Sequence, residues 1–195
     1  MTMHRVQAAT AGEEDAVFAI LTLAFSRDPA SRWTWPEPKV YVEAFPRFAK
    51  AFGGAAFAKG TVHRIGWAGA ALWLPPGVRP DEAAMGALME STADPGTAVD
   101  GPELMQQMAS HHPKEPHWYL PLIGIDPACQ GKGLGSALLK HATDICDRDG
   151  MPAYLESSNL ANVQLYERHG FEAIGRIQVG GSPVFTPMLR RPRRR

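Results

Sequence analysis

Short apolar runs alternate along the chain with longer stretches in which apolar residues recur every three or four positions. The short runs predict β-strands, and they cover Met3 to Ala9, Thr61 to Trp67, Ala70 to Leu74, Trp118 to Ile125 and Ala153 to Ser157. The longer stretches predict amphipathic α-helices, and they cover 10 to 24, Tyr41 to Phe52, Gly133 to Asp149 and 160 to 169. The last runs, Phe171 to Val179 and Val184 to Leu189, predict a terminal antiparallel hairpin.

Local signals start, stop or interrupt several of these elements. Thr10 and Glu13 form a capping box at the start of the first helix. Helical spacing lapses from Asp28 to Pro38, where prolines and two tryptophans predict an irregular loop. The pattern from Pro80 to His112 is helical but predicts breaks at Asp94-Pro95-Gly96 and at Gly101-Pro102.

The central apolar run, Trp118 to Ile125, contains Pro121. Proline cannot donate a hydrogen bond within a sheet, so it predicts a bulge or a local parting of strands at this point. A predicted helix separates this run from Ala153 to Ser157, and a crossover of that length joins parallel strands. The two runs are therefore expected to form a parallel βαβ pair.

The loop after the central strand contains three glycines, at 131, 133 and 135. Glycines let the backbone approach a ligand, and a helix N-terminus favours anions, so the loop predicts a phosphate or pyrophosphate site. The nucleoside-triphosphate loop is excluded because Gly133 follows Lys132, where that loop requires serine or threonine. The dinucleotide fingerprint is excluded because Ser136 or Leu138, depending on the register, stands at its third glycine.

The segment Gln130-Gly131-Lys132-Gly133-Leu134-Gly135 resembles the acyl-CoA pyrophosphate loop, Gln/Arg-x-x-Gly-x-Gly/Ala, of the GNAT superfamily of N-acyltransferases. Asn162, Tyr166 and Gly170-Phe171 resemble the Asn-x-x-x-Tyr-x-x-x-Gly-Phe element that follows it in that family. Either motif alone is weak, but two motifs in the right order and spacing are specific. Over 111 to 189, the chain is also similar to the branch of puromycin N-acetyltransferase.

The resemblance implies an α/β (α+β) fold with a mixed, mostly antiparallel central sheet, helices on both faces and one splayed parallel strand pair. It implies a single domain, residues 1 to 189. In this family the splayed strands hold the pantetheine arm of the acyl-CoA donor, and the glycine loop holds its pyrophosphate. The residues implied at this donor site are Ile123, Gly124, Ile125, Gln130, Gly131, Lys132, Gly133, Leu134, Gly135, Ser136, Asn162 and Tyr166.

The resemblance also implies direct transfer of an acetyl group from acetyl-CoA to a primary amine of a small molecule, in a ternary complex and without a metal. Tyr166 matches the tyrosine that the family places beside the thioester sulfur, which makes it the expected general acid, with a packing tyrosine as the alternative. The general base is open. Glu156 is favoured over Glu115 and His117, although a structural carboxylate explains Glu156 almost as well.

The acceptor side is implied to include segments 27 to 38 and 80 to 112. Trp33 and Trp35 in the first segment either line the pocket or anchor the loop on the core, and packing is favoured for large aromatics. The neighbouring histidines admit a metal half-site, a proton relay or a solvated loop, and the solvated loop is favoured. They are His111, His112 and His117.

Composition limits the binding partners and the location that are expected for this chain. Lysine plus arginine equals aspartate plus glutamate at 20 each, so no net field favours nucleic acid or an anionic membrane. Cys129 and Cys146 have neither metal-ligand nor disulfide spacing and predict free thiols. Without a recognisable signal peptide or transmembrane run, the expected location is cytoplasmic. The tail Arg190 to Arg195 is expected to be mobile.

Two other functions stay open at this point. A non-catalytic module that binds or senses acyl-CoA would keep the glycine loop, but it would not require Tyr166. A peptide or protein N-acetyltransferase would use the same chemistry on a larger acceptor. Homodimers are common in the family, so a homodimer is allowed.

Overall fold

A seven-stranded sheet runs through residues 5–193, the part of the chain that the computed structural model describes. Its strands are β1 (Val6–Ala8), β2 (Val62–Ile65), β3 (Gly69–Leu74), β4 (Trp118–Ile125), β5 (Ala153–Ser157), β6 (Glu172–Ala173) and β7 (Thr186–Arg190). The helices around it are α1 (Glu14–Ala24), α2 (Pro29–Thr34), α3 (Pro38–Gly53), α4 (Ala55–Lys59), α5 (Glu82–Thr92), α6 (Pro95–His111), α7 (Leu134–Asp149) and α8 (Leu160–Arg168).

The strands follow the order β1-β2-β3-β4-β5-β7-β6. Neighbouring strands are antiparallel except β4 and β5, which are parallel and joined by the crossover helix α7. The predicted fold class is therefore confirmed, including the single parallel pair. None of the helices within residues 5–193 is both long and apolar enough to cross a membrane.

The predicted bulge in β4 is also present. Leu72 of β3 pairs with Leu122, and Leu74 pairs with Tyr119, so β4 takes three steps where β3 takes two. The extra residue falls beside Pro121, which has no backbone N–H to give to the sheet. The bulge changes which face each β4 side chain points to, because side chains alternate along a regular strand.

Helices on the two faces of the sheet divide the apolar core into two layers. The first layer is formed with α1 and α3 and includes Tyr41, Phe45, Tyr119 and Tyr154. The second is formed with α7 and α8 and includes Leu138, Leu139, Leu155, Tyr166 and Phe171. Alternate residues of β5 enter opposite layers, so this strand can present different side chains to each face.

Two segments with prolines are more helical than the sequence predicts. Asp28 accepts a hydrogen bond from the backbone N–H of Ser31 at 3.0 Å and caps α2, with Pro29 in the first helical turn. The break expected at Gly101-Pro102 is wrong, because α6 runs through it. Packing of Leu104 against the chain before β7 supplies the stability that the missing hydrogen bond removes.

The two ends of the chain differ from prediction in smaller ways. The first strand occupies Val6–Ala8, and Met3 lies outside the described residues. The terminal hairpin is shorter than expected: β6 has two residues, and beyond it only an isolated bridge joins Ile177 to Phe185 within the described chain.

Arg190, assigned from the sequence to a mobile tail, is instead the last residue of β7 and is 2% exposed. Its guanidinium donates two hydrogen bonds to Asp147, at 2.8 and 2.7 Å, and its Nε donates to the carbonyl of His169 at 2.9 Å. The bidentate pairing gives the buried charge a partner and fixes the strand end. Arg194 and Arg195 lie outside the described residues.

Candidate active site

A gap opens between β4 and β5 where the two parallel strands part. They pair only at Trp118 with Ala153 and at Tyr119 with Tyr154 in the described chain. Beyond that point β4 continues along β3 as far as Ile125. The edge of β4 that would face β5 is therefore free along this stretch, as the sequence predicts for a pair of splayed strands.

The predicted donor-site residues of β4 line this edge and face opposite layers. Ile123 and Ile125 pack on the α7 side. Gly124 faces α1, where an added Cβ would lie 2.5 Å from the Cβ of Ala24. Gly124 therefore has a packing reason to be glycine, and any ligand contact at this position is made by its backbone.

The glycine loop turns sharply from β4 into α7. Asp126 accepts a hydrogen bond from Ala128 N–H at 2.8 Å and starts the turn. Gly131 and Gly133 have φ angles of +74° and +77°, a region that residues with a Cβ rarely occupy. Since α7 begins at Leu134, the N–H groups of its first turn have no partner within the helix and suit an anion.

Three polar side chains support the loop. Gln130 Nε2 donates to the carbonyl of Ile125 at 3.2 Å, which ties the loop back to the strand end. Lys132 is exposed, with its Nζ 3.5 Å from the carbonyl of Ala128. A hydrogen bond of 2.7 Å joins Ser136 Oγ to His169 Nε2 and connects the start of α7 to the end of α8. Burial lowers the pKa of His169, and nearby arginines lower it further.

Helix α8 carries both predicted residues of the second motif. Tyr166 is buried, and its ring lies edge-on to Phe171 at 6.2 Å. Burial raises the pKa of Tyr166 well above its usual range, and the charge of Asp28 raises it further. Asn162, one turn earlier on the helix, is exposed.

Asp28 is a site residue that the sequence reasoning missed. Ser158 Oγ, just after β5, donates to Asp28 Oδ2 at 2.6 Å. This contact ties the start of α2 to the turn that leads into α8, close enough to Tyr166 for the Asp28 charge to act on its pKa. An aspartate before a proline signals a helix cap, but contact with Ser158 exists only in the folded chain.

Glu156 is a buried carboxylate at the point where the strands part. Its side chain is 6% exposed, and Tyr119 donates a hydrogen bond to its Oε2 at 2.8 Å. Burial, followed by the charge of Glu156, raises the pKa of Tyr119. The hydroxyl of Tyr154 is also buried, and it has no hydrogen-bond partner within residues 5–193.

His112 and His117 lie in the partly exposed loop between α6 and β4, but their rings are turned toward Glu156 and the core. His112 Nδ1 is 3.7 Å from Glu156 Oε1, and His112 Nε2 is 3.0 Å from His117 Nε2. The His112 ring also packs edge-on against Tyr119 and Tyr154, at 4.9 and 4.7 Å. The other candidate base, Glu115, pairs its carboxylate with Arg191 instead.

The two tryptophans predicted to lie on the acceptor side differ in their surroundings. Trp35 is 2% exposed, packs against Phe45 and Phe48, and donates its indole N–H to Thr92 at 3.0 Å. It is a core anchor. Trp33 is half-buried against the small apolar cluster that joins α6 to the chain before β7. Helix α6 is fixed there by Asp100, which accepts a hydrogen bond from Gly181 N–H at 2.8 Å.

Residues 20–171 match the family described as "Acetyltransferase (GNAT) family". The chain belongs to the GNAT acetyltransferase family. Membership supports the prediction of an acyltransferase that uses acetyl-CoA as donor. Within residues 5–193 no group of three or more histidine, cysteine, aspartate or glutamate side chains is arranged to hold a metal ion.

Relatives with local sequence similarity include an uncharacterized N-acetyltransferase of Schizosaccharomyces pombe, 46% identical over 54 residues. A putative phosphinothricin acetyltransferase of Bacillus subtilis is 41% identical over 56 residues. These matches cover 28% and 27% of this GNAT chain, but only 22% and 34% of the relatives' own lengths. The similarity is therefore confined to one segment of this chain and of each relative.

A similarity over the whole fold is found with a crystal structure from Corynebacterium glutamicum, described as "histone acetyltransferase HPA2 and related acetyltransferase". It has a TM-score of 0.65 and 25% sequence identity, and the similarity covers 97% of both chains. The arrangement of strands and helices in this GNAT chain is thus that of a solved acetyltransferase.

Proposed function

We propose that this GNAT chain, as a single catalytic domain, is an acetyl-CoA-dependent N-acetyltransferase that acts on a primary amine of a small molecule. The observation that carries the proposal is the arrangement around the gap between β4 and β5. Glu156 lies on the same face of the sheet as Tyr154 of β5 and Tyr119 of β4, whereas Tyr166 packs in the opposite layer with Leu155. A base and an acid thus flank the gap from opposite faces.

This arrangement fits direct transfer in a ternary complex. The acceptor ammonium gives a proton to Glu156, and the free amine attacks the thioester carbonyl. The bond from carbon to sulfur then breaks, the Tyr166 hydroxyl protonates the leaving thiolate, and the second proton lost by the acylated nitrogen restores the Tyr166 hydroxyl. The raised pKa of Tyr166 keeps the proton available at neutral pH. Holding both partners in line supplies much of the acceleration, up to ~7 to 11 kcal/mol in favourable cases.

The donor end of the site is proposed to run along the glycine loop. The pyrophosphate of acetyl-CoA would accept hydrogen bonds from backbone N–H groups between Gly131 and Ser136. The free edge of Ile123 to Ile125 would pair with the pantetheine arm, and Asn162 would contact the same arm. Lys132 is exposed and can reach a phosphate oxygen by changing rotamer.

We favour a small acceptor over a protein because α6 and Trp33, which belong to the segments proposed to form the acceptor side, are tied to the chain before β7. The relative named for phosphinothricin and the likeness to the puromycin branch are consistent with a small acceptor. A peptide or protein acceptor is the second candidate, and a non-catalytic acyl-CoA sensor is the third. We further propose a cytoplasmic location and leave a homodimer as a hypothesis.

Thiol release separates these candidates. The protein is incubated with acetyl-CoA and a panel of amines that includes puromycin, phosphinothricin, polyamines and short peptides, and free CoA is measured against a blank without amine. Release that depends on a small amine, with the acetylated amine found by mass spectrometry, supports the proposal. Release only with peptides favours the second candidate. Binding of acetyl-CoA with no release for any amine contradicts a catalytic function.

A further inference from the structure

Glu156 is the first of three titratable groups in a row. His112 follows it at 3.7 Å, measured from Nδ1 to Oε1, and His117 follows His112 at 3.0 Å between the two Nε2 atoms. His117 Nδ1 is 2.7 Å from the backbone carbonyl of Glu115. The row therefore begins at a carboxylate that is 6% exposed and continues to a His112 side chain that is 37% exposed.

The backbone carbonyl of Glu115, at the far end of the row, fixes which ring nitrogens carry hydrogens. A carbonyl can only accept, so Nδ1 of His117 carries a hydrogen, and Nε2 of a neutral His117 is an acceptor. Nε2 of His112 is then the donor between the rings. A neutral His112 then turns the lone pair of Nδ1 toward the Glu156 carboxylate. The row is thus arranged to accept a proton from Glu156 at Nδ1 of His112 and to pass a proton outward from Nε2.

We infer that His112 and His117 carry the proton of the acceptor amine from Glu156 to solvent. This inference rests on the proposed function. Glu156, once protonated by the ammonium, closes the 3.7 Å separation to hydrogen-bond distance and gives the proton to His112 Nδ1, and His112 passes its Nε2 proton to His117. His117 releases a proton to water, and solvent exchange restores the starting tautomers. One proton leaves the amine and one enters water, so each group ends the cycle as it began.

The need for such a path follows from burial. A carboxylate that is 6% exposed cannot exchange its proton freely with bulk water, yet a general base must be reset in every turnover. The buried Tyr154 hydroxyl, which lacks a hydrogen-bond partner in the described chain, lies near the same carboxylate. It is placed to donate to Glu156, directly or through a bridging water.

The groups that face the two histidines are known from each neighbouring element. Tyr119 of β4 donates to Glu156, and Tyr154 of β5 packs against both rings. Burial lowers the pKa of His117, with opposing effects of the Glu115 carbonyl and of the Glu156 charge. The adjacent His111 does not join the row, because its Nδ1 contacts the carbonyl of Gln107.

Glutamine substitutions test the relay, since glutamine keeps a polar amide but cannot carry a proton onward. In His112→Gln and His117→Gln we expect kcat to fall about tenfold or more, with unchanged Kd for acetyl-CoA. The pH profile of kcat/KM should also change, and added imidazole should restore turnover. His111→Gln, one residue from His112, is the matched control and should behave as wild type. Unchanged kcat and pH profile in His112→Gln, or a loss that imidazole does not rescue, would overturn the relay.

A second measurement does not depend on activity. Imidazole ¹⁵N shifts should report a hydrogen on Nδ1 of His117 and a hydrogen on Nε2 of His112, with Nδ1 of His112 free to accept. A neutral His112 with its hydrogen on Nδ1, or a neutral His117 with its hydrogen on Nε2, would contradict the row. If the wild-type protein released no thiol with any amine, the proposed function would fail, while these shifts would still decide whether the proton row exists.

Discussion

Burial sets the protonation of the tyrosines nearest the proposed reacting groups. Tyr119 and Tyr166 both lie within the core, and for both burial is the main cause of a raised pKa. Each hydroxyl therefore stays a donor at neutral pH. Tyr119 donates its hydrogen to Glu156, whereas the Tyr166 hydroxyl donates to no group of the described residues, so its proton is free for the proposed leaving group.

A buried histidine outside the site gives a residue-scale prediction about stability. Burial, followed by the charge of His141, lowers the pKa of His63 to about 4. An unfolded histidine has a pKa of ~6.5. At pH values between the two pKa values, His63 is therefore protonated in the unfolded chain but not in the folded chain. The stabilisation is complete above the unfolded value and is lost as pH falls toward the folded one.

In the wild type, His63 should lower the free energy of unfolding by about 3 kcal/mol between about pH 6.5 and pH 4. We expect His63→Gln to remove this decrease. Urea denaturation across this pH range measures the slope. His141→Gln is the control, because it removes the neighbouring charge and leaves the burial of His63, so it should flatten the slope only in part. Equal slopes for wild type and His63→Gln would refute the assignment.

At the scale of elements, the glycine loop and α7 form the proposed phosphate site. Gly131 has a φ of +74° and no atom within 4 Å of an added Cβ, and Gly60, at the end of α4, has a φ of +65° and the same open space. Alanine at either position meets a similar backbone strain, about 1 kcal/mol. We expect Gly131→Ala to weaken acetyl-CoA binding at least tenfold and Gly60→Ala to leave it unchanged, as measured by calorimetry. Equal affinities in the two variants would contradict the phosphate site.

Elements with local signals were predictable from the sequence. Three features depend only on adjacent residues, and all three are present: the capping box at Thr10, the end of α7 at Gly150 and the bulge beside the proline of β4. The break expected at Gly101-Pro102 is absent because packing across the fold overrides helix propensity. Local signals do not report such packing.

The same limit applies to the candidate site. Glu156 was predicted because strand and motif spacing place it near the gap. Its contact with His112, and that of Asp28 with Ser158, join residues far apart in the chain. Only the folded sheet brings them together. The sequence alone does not contain these contacts and therefore favours a solvated loop for the histidines.

At the scale of the whole molecule, Arg190 ties the end of the sheet to α7. The hydrogen bonds from Arg190 are the main cause of the lowered pKa of Asp147. This pair contributes stability above the pKa of an unfolded aspartate, and the contribution is lost as pH falls through the folded value. The terminal strand is therefore expected to be a weak point in acid.

Asp147→Asn should destabilise the fold by about 3 to 5 kcal/mol, because it leaves the guanidinium of Arg190 buried without a counter-charge. Urea denaturation at neutral pH measures the change. The matched control is Asp144→Asn on the same helix, which breaks the exposed pair with Lys140 and should cost less than about 1 kcal/mol. Similar losses in the two variants would show that the buried Arg190–Asp147 pair contributes no more to stability than the exposed Lys140–Asp144 pair.

The central claim is that Tyr166 makes this GNAT fold a catalyst. The most direct measurement compares wild type with Tyr166→Phe, using steady-state thiol release for kcat and equilibrium binding for the acetyl-CoA Kd. Removing only the hydroxyl should lower kcat by about 10²-fold or more and leave Kd within about twofold, since the ring keeps its packing against Phe171. Unchanged kcat in Tyr166→Phe would contradict the account.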